Sequence, residues 1–311
     1  LGLRVAARYG SAAPPGAATV LYFQGNGGEI GDRPRRWAAY RAAGLSARQL
    51  TRILHATARG LKHTVSSRAE FVDAFTTAVR AICFDLDNTL WDVWPVIVRA
   101  EHAMHDFLAV NYPRVTERHD LRSMRDVRAR MALDHPAMRH DFTWLRLEAL
   151  RQHAREAAYP EAMADQAFAA FYRARNEVTL YDDVRPALAA LAPDYRLFAL
   201  SNGNADLSLC GIGQYFEMGL AAREAGMLKP DPRIFGILLE RAGLGADEVV
   251  HVGDDAEADV EGARAAGVLP VWLNRQATPW PRESEPPAIT IRRLDELAAA
   301  IEAATQARAS T

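Results

Sequence analysis

The chain has 311 residues with 37 basic and 39 acidic side chains, a formal net charge of −2, and 49% of its residues are hydrophobic. That apolar content suits one large domain or two ordinary ones, and the near-neutral balance argues against a whole-chain nucleic-acid binder. No apolar run approaches the roughly 18 residues of a membrane span. The only cysteines, Cys83 and Cys210, are too few for a disulfide framework or a thiolate zinc site, so both are expected in the core of a protein in a reducing, cytoplasmic compartment.

Charge is unevenly spread. Residues 1–80 carry 12 basic and 4 acidic side chains, which leaves 25 and 35 for the remainder. The Gly/Ala/Pro/Ser stretch Gly10–Ala18 cannot bury enough apolar surface to order itself. Leu21-Tyr22-Phe23-Gln24-Gly25 matches most of a viral protease recognition sequence used to remove expression tags, which reads residues 1–78 as a basic leader outside the fold, non-native or flexible. An Arg- and Ala-rich, acid-poor segment is also the composition of a transit peptide, but residues 1–30 show no sustained amphipathic face. From Trp37 to Leu61 a weak helical periodicity appears, with Ser46 and Gln49 placed for a capping box. A basic helix of this kind can contact nucleic acid or a membrane; neither partner is expected here.

From residue 79 strands and helices alternate. Val79–Phe84 is a short apolar run ending on Asp85, the profile of a buried parallel strand. Comparable runs follow at Tyr195–Leu200, ending on Ser201, at Val249–Val252, ending on Gly253-Asp254-Asp255, and at Val268–Leu273. Helical patterns lie at 183–192, 232–242, 257–266 and 293–303. This order predicts an α/β fold with a Rossmann-like parallel sheet, whose ligands bind at the carboxyl ends of the strands. Residues 92–180 far exceed the 10 to 12 residues or so that a crossover needs. They read as helices over Pro95–Val110, Glu117–Leu133, Asp141–Ala157 and Glu161–Val178, broken at Pro113, Pro136 and Pro160. The predicted organisation is a catalytic core of residues 79–91 and 181–303, a helical cap of residues 92–180 that can exclude water, and a tail of residues 304–311.

Four clusters carry chemistry. Asp85 and Asp87 stand two apart at a strand exit, where one carboxylate can attack phosphorus and the other act as general acid and then base; alone, the pair is equally a polar strand end. Two anions facing an anionic substrate need a cation, and Mg²⁺ favours such oxygen donors. Ser201-Asn202-Gly203-Asn204 is expected to open a short helix whose free N–H groups and hydroxyl cradle phosphate, or to be an ordinary turn. Lys229, followed by Pro230 and Asp231, is the sole lysine after Lys62, a point charge suited to a phosphoryl oxygen and a carboxylate together. Asp254 at the third strand tip can ligate a metal, with Asp255 and Asp259 supporting it or Lys229, although acidic residues also favour a first helical turn.

In this order and at these strand ends, the clusters of residues 79–303 resemble the haloacid dehalogenase superfamily of hydrolases. The resemblance implies Asp85 as nucleophile, Asp87 as acid/base, Ser201 and Lys229 as stabilisers of the phosphoryl group and intermediate, and Mg²⁺ held by Asp85, Asp254 and the main-chain carbonyl of Asp87. It also implies a phosphatase, because the dehalogenase branch lacks aspartate at position 87. Ser201–Ala205, Gly213–Glu217 and His251–Asp255 further resemble bacterial phosphatases of flavin mononucleotide and of the ribitylamino-uracil phosphate precursor of riboflavin. Trp91, Trp94, Phe142 and Trp144 are then candidates to stack on a flat ring. The expected substrate is a small phosphorylated metabolite; a phosphomutase and a non-catalytic binding protein using its basic N-terminal segment are the alternatives.

Overall fold

The computed structural model describes residues 3–6, 22–25 and 79–309. Leu3–Ala6 and Tyr22–Gly25 pair as an antiparallel ribbon within a unit of residues 1–77 and 308–311, while residues 78–307 form a second compact unit. The expected helix at Trp37–Leu61, its Ser46 capping box and the stretch Gly10–Ala18 lie outside the described residues.

The second unit is built on six strands: β1 Ala81–Phe84, β2 Arg196–Ser201, β3 Met218–Ala221, β4 Val249–Gly253, β5 Leu269–Leu273 and β6 Ile289–Ile291. They form one parallel sheet in the order β3-β2-β1-β4-β5-β6. The chain grows outward from β1 through β2 and β3, then returns to the far side of β1 at β4. That reversal makes the crevice beyond β1 and β4 the topological switch point, where doubly wound sheets bind ligands.

Successive residues of β1 serve opposite faces. Ile82 and Phe84 pack with Val184, Leu188 and Leu191 of α5 (Val184–Leu191) and with Leu297 and Ile301 of α7 (Leu297–Ala309). Ala81 and Cys83 pack with Ile234, Phe235 and Leu238 of α6 (Pro232–Ala242). With both faces covered, β1 is apolar at every position rather than alternating, and each large side chain so buried contributes roughly 1.5–3 kcal/mol. Cys83 and Cys210 are both buried free thiols.

Between β1 and β2 run α1 Val93–Asn111, α2 Leu121–Asp134, α3 Phe142–Glu156 and α4 Ala162–Arg175. They enclose their own core of Ala100, Met104, Leu108, Leu150, Ala154 and Phe171 among others. Three of them start on aspartates: Asp92, Asp120 and Asp141 accept the N–H groups of Trp94, Ser123 and Trp144 at 3.0, 2.8 and 2.8 Å, each cap worth about 1 kcal/mol. Among the described residues no helix is long and apolar enough to cross a membrane.

Several expected boundaries move, for local reasons. The helix expected from Glu117 begins at Leu121, because a single turn at Pro113–Thr116 ends there first and Asp120 supplies the cap. α4 stops at Arg175, short of Val178, where Asn176 donates through Nδ2 to Tyr172 O and accepts Asp206 N–H on Oδ1. The segment after Ser201 opens no helix; Asp206 Oδ1 takes the N–H groups of Ser208 and Leu209, and Gly211 at φ 71° turns the chain. The helix expected over 257–266 is a π-helical turn, Ala256–Glu261, continued by an α-turn, Gly262–Ala265. β3 and β6 are two short edge strands without a sequence signal, and α7 runs on to Ala309 past the expected end at residue 303.

Candidate active site

β1 and β4 end side by side, with Asp85 N–H donating to Val252 O at 2.9 Å. Asp85 and Asp254 therefore leave adjacent strand tips at the switch point. The Asp85 residue is 7% exposed. Its Oδ1 accepts from Lys229 Nζ at 2.7 Å and its Oδ2 from Thr89 Oγ1 at 3.0 Å. The same hydroxyl lies 3.3 Å from Asp254 Oδ1, so Thr89 bridges the two carboxylates.

Lys229 is buried and spends its three protons on Asp85 Oδ1, on Asp259 Oδ1 at 2.6 Å and on Leu200 O at 2.7 Å. Asp259 is buried too. It accepts the Asp255 N–H at 3.0 Å, and His251 Nε2 lies 3.0 Å from its Oδ1; because a carboxylate only accepts, that ring nitrogen carries the proton. Burial opposes the charge on Asp259, but Lys229 and His251 outweigh it and hold the carboxyl below the usual range. Likewise burial opposes the ammonium, while Asp259 and Asp85 outweigh it and raise Lys229.

The remaining two carboxyls are pushed the other way. Burial lifts Asp85 to about 8 against the pull of Lys229, with Asp259 and Asp254 adding to the rise. Burial, then Asp259 and Asp255, lift Asp254 to about 7. Asp85, Asp254 and Asp259 each bring an oxygen within 4.8 Å of the others. Burial thus opposes ionising Asp85 and Asp254 together, a cost that a cation would offset, and the all-oxygen donor set fits a hard divalent cation such as Mg²⁺.

Asp87 lies at the rim and is tied to the helical insertion. Arg175 Nη2, at the end of α4, lies 2.7 Å from both of its oxygens, and Trp91 Nε1 donates to Oδ1 at 2.9 Å. Gly203 faces this pair so closely that a Cβ there would come 2.6 Å from Asp87 Oδ2 and 3.2 Å from Arg175 Nη2. Ser201 Oγ accepts the Gly203 N–H at 3.0 Å. Asn202 clips the loop after β2 to the Lys229 backbone, donating to Lys229 O at 3.0 Å and accepting Lys229 N–H at 2.8 Å. Asn204 Nδ2 donates to Thr143 Oγ1 of α3 at 3.1 Å, a second link from the sheet to the insertion.

The structure thus brings Asp85, Lys229, Asp254 and Asp259 into one cluster, with Asp87, Ser201, Asn202 and Gly203 along its edge. Asp255 stands apart: its carboxylate caps the π-helical turn by accepting the N–H groups of Glu257 and Ala258 at 2.8 and 2.7 Å. Trp91 is fully buried with its indole N–H on Asp87, which removes it as a stacking platform, and Trp144 meets His135 edge-on at 5.1 Å. Trp94 and Phe142 are exposed, at 65% and 43%. Sequence reasoning missed Thr89, Arg175, His251 and the Asn204–Thr143 link. Thr89 had a signal, a hydroxyl four residues past Asp85; Arg175 had none.

Comparisons with known proteins agree with this geometry. Residues 79–267 match the model of the haloacid dehalogenase-like hydrolases. The chain is 33% identical over 201 residues to the 5-amino-6-(5-phospho-D-ribitylamino)uracil phosphatase of Escherichia coli, covering 63% of this chain and 83% of that one. It is 27% identical over 233 residues to the human N-acylneuraminate-9-phosphatase, covering 72% and 94%. Among solved structures, a 2-haloacid dehalogenase from Pseudomonas syringae superposes with a TM-score of 0.69 at 34% identity, covering 72% of this chain and 99% of that one.

Proposed function

The chain belongs to the haloacid dehalogenase-like hydrolases, and on that premise we propose that it is a magnesium-dependent phosphomonoester hydrolase of a small metabolite, working through a phosphoryl group carried on Asp85. The observation that carries the reading is the pairing of two differently held carboxylates: Asp85, buried with Lys229 on one oxygen, and Asp87 two residues on at the rim. In the first half-reaction an Asp85 oxygen bonds to phosphorus as the bond to the departing alcohol breaks, and Asp87 donates a proton to that alkoxide. In the second, Asp87 takes a proton from water as the water oxygen bonds to phosphorus, the Asp85–phosphorus bond breaks and orthophosphate leaves. Once its Asp85 partner is esterified, Lys229 has a proton to turn toward a phosphoryl oxygen, while Asp259 and His251 keep the ammonium in place. The Ser201 hydroxyl accepts the Gly203 N–H and keeps its own proton to donate to a remaining phosphoryl oxygen.

Asp85, Asp254 and the Asp87 main-chain carbonyl would hold Mg²⁺, which neutralises phosphoryl charge. A second reading, a dehalogenase, is favoured by the name of the Pseudomonas syringae relative, but a halide leaves unprotonated and gives the acid at position 87 no task. For the substrate, the ribitylaminouracil phosphatase similarity and the exposed rings of Trp94 and Phe142 favour a phosphate ester bearing a flat heterocycle, either that uracil or flavin mononucleotide.

With Mg²⁺ and an aryl phosphate, Asp85→Asn is expected to lower kcat by about 10⁴-fold or more; full activity in that variant overturns the mechanism. A metabolite-phosphate screen separates the rest. Preference for the uracil or flavin ester sharpens the assignment, isomerisation of a sugar phosphate without phosphate release marks a phosphomutase, and halide release from a 2-haloacid marks a dehalogenase.

A further inference from the structure

A second cluster of metal-ligating side chains lies within the inserted helices. His153 and Glu156 stand three apart on α3 and so share one face of the helix, and His119 follows the single turn at Pro113–Thr116. His119 Nε2 is 2.9 Å from Glu156 Oε2, and His153 Nδ1 is 3.8 Å from the same oxygen. The two imidazole rings are 4.3 Å apart between centroids, and one ligand atom from each residue falls within 4.8 Å of the others.

An ordinary ion pair accounts for His119 and Glu156 but not for His153. That ring is 1% exposed, yet among the described residues neither of its nitrogens has a hydrogen-bond partner. A buried imidazole without partners forfeits its solvation, a penalty that a ligand on the ring would remove. Glu156 is also oriented from outside: Gln152 Nε2 donates to its Oε1 at 2.8 Å, leaving Oε2 toward the imidazoles, the kind of outer support that ligating carboxylates receive.

We propose that His119, His153 and Glu156 form a transition-metal site suited to Zn²⁺, tying the turn after α1 to the last turn of α3. Two imidazoles and one carboxylate are borderline donors that favour Zn²⁺ over Mg²⁺. Tetrahedral ligands about 2.1 Å from zinc are about 3.4 Å from one another, between the 2.9 and 3.8 Å separations already in place. Water completes the fourth position. The site stands independently of the reading of Asp85 and Asp87.

The test uses the full chain with Asp254→Asn, which weakens cation binding at the carboxylate cluster, stripped with chelator and titrated with Zn²⁺ and with Co²⁺. One equivalent is expected to bind, Co²⁺ giving the visible absorption of a tetrahedral site, with a rise in Tm. His119→Gln and Glu156→Gln, both at partly exposed positions, are expected to abolish the stoichiometric binding while circular dichroism stays unchanged, and Gln152→Ala to weaken it about tenfold. Absence of stoichiometric binding, or binding unaffected by His119→Gln, overturns the proposal.

Discussion

The carboxyl end of the sheet and the helical insertion treat buried polarity in opposite ways. At the sheet, the Lys229 ammonium has three acceptors, and Asp259 gathers an ammonium, an imidazole and a backbone N–H. In the insertion, Arg146, His153 and Arg175 account for five of the six buried side-chain atoms without a partner among the described residues; the sixth is His251 Nδ1. A satisfied network is preorganised and costs little to reorganise during reaction. Of the unsatisfied groups in the insertion, only Arg175 reaches the rim, through Asp87. On the proposed function, the contrast would put the shared chemistry at the strand tips and the discrimination between substrates in the helices.

Breaking the sheet-side network should have the largest effect. Lys229→Met leaves Asp85 and Asp259 buried without their ammonium, and such a loss costs about 3–5 kcal/mol. Chemical denaturation in chelator should show that loss, together with collapse of activity; a variant of wild-type stability would mean the carboxylates are solvated rather than paired. Gly203→Ala probes the boundary between the two regions, because the new Cβ meets both Asp87 of the sheet and Arg175 of the insertion. It should lower kcat about 10²-fold through displaced groups with little change in Tm. Unchanged kcat would show that Asp87 needs no fixed position.

The proposed cation requirement can be tested on the same network. Asp254 at about 7 lies above the unfolded carboxyl value near ~3.9, so the folded state holds a proton that the unfolded state has released between those pH values. Metal-free protein should therefore lose stability as pH rises through that window. Mg²⁺ takes the place of the proton, so the gain in Tm on adding Mg²⁺ should be larger at pH 8 than at pH 6 in scanning calorimetry. A gain that does not vary with pH would place the cation elsewhere. The smallest effect belongs to the cap: Phe142→Ala should raise KM for a ring-bearing substrate about tenfold and leave kcat on a small aryl phosphate unchanged.

The same contrast explains what the sequence makes legible. Strand tips announce themselves locally, as Asp85 and Asp254 close apolar runs and Lys229 is the one lysine in an arginine-using body. The parallel sheet and the inserted helices follow from periodicity. The Arg175–Asp87 contact does not, since it spans 88 positions and an arginine in the last turn of a helix is common for dipole reasons alone. β3 and β6 escape notice because they are short edge strands, β3 with only Leu220 fully buried and β6 of three residues. The expected start of α2 at Glu117 is too early, because the turn at Pro113–Thr116 and the Asp120 cap come first and the helix begins at Leu121.

The proposed covalent role of Asp85 is tested most directly by acid-quenching the Asp87→Asn variant during turnover of an aryl phosphate, whose good leaving group needs no acid. Without Asp87 to activate water, phosphate should accumulate on the enzyme close to stoichiometrically, and peptide mapping by mass spectrometry should place it on Asp85. Phosphate found on another residue, or product formed in a single turnover with no phosphorylated protein, would contradict the account.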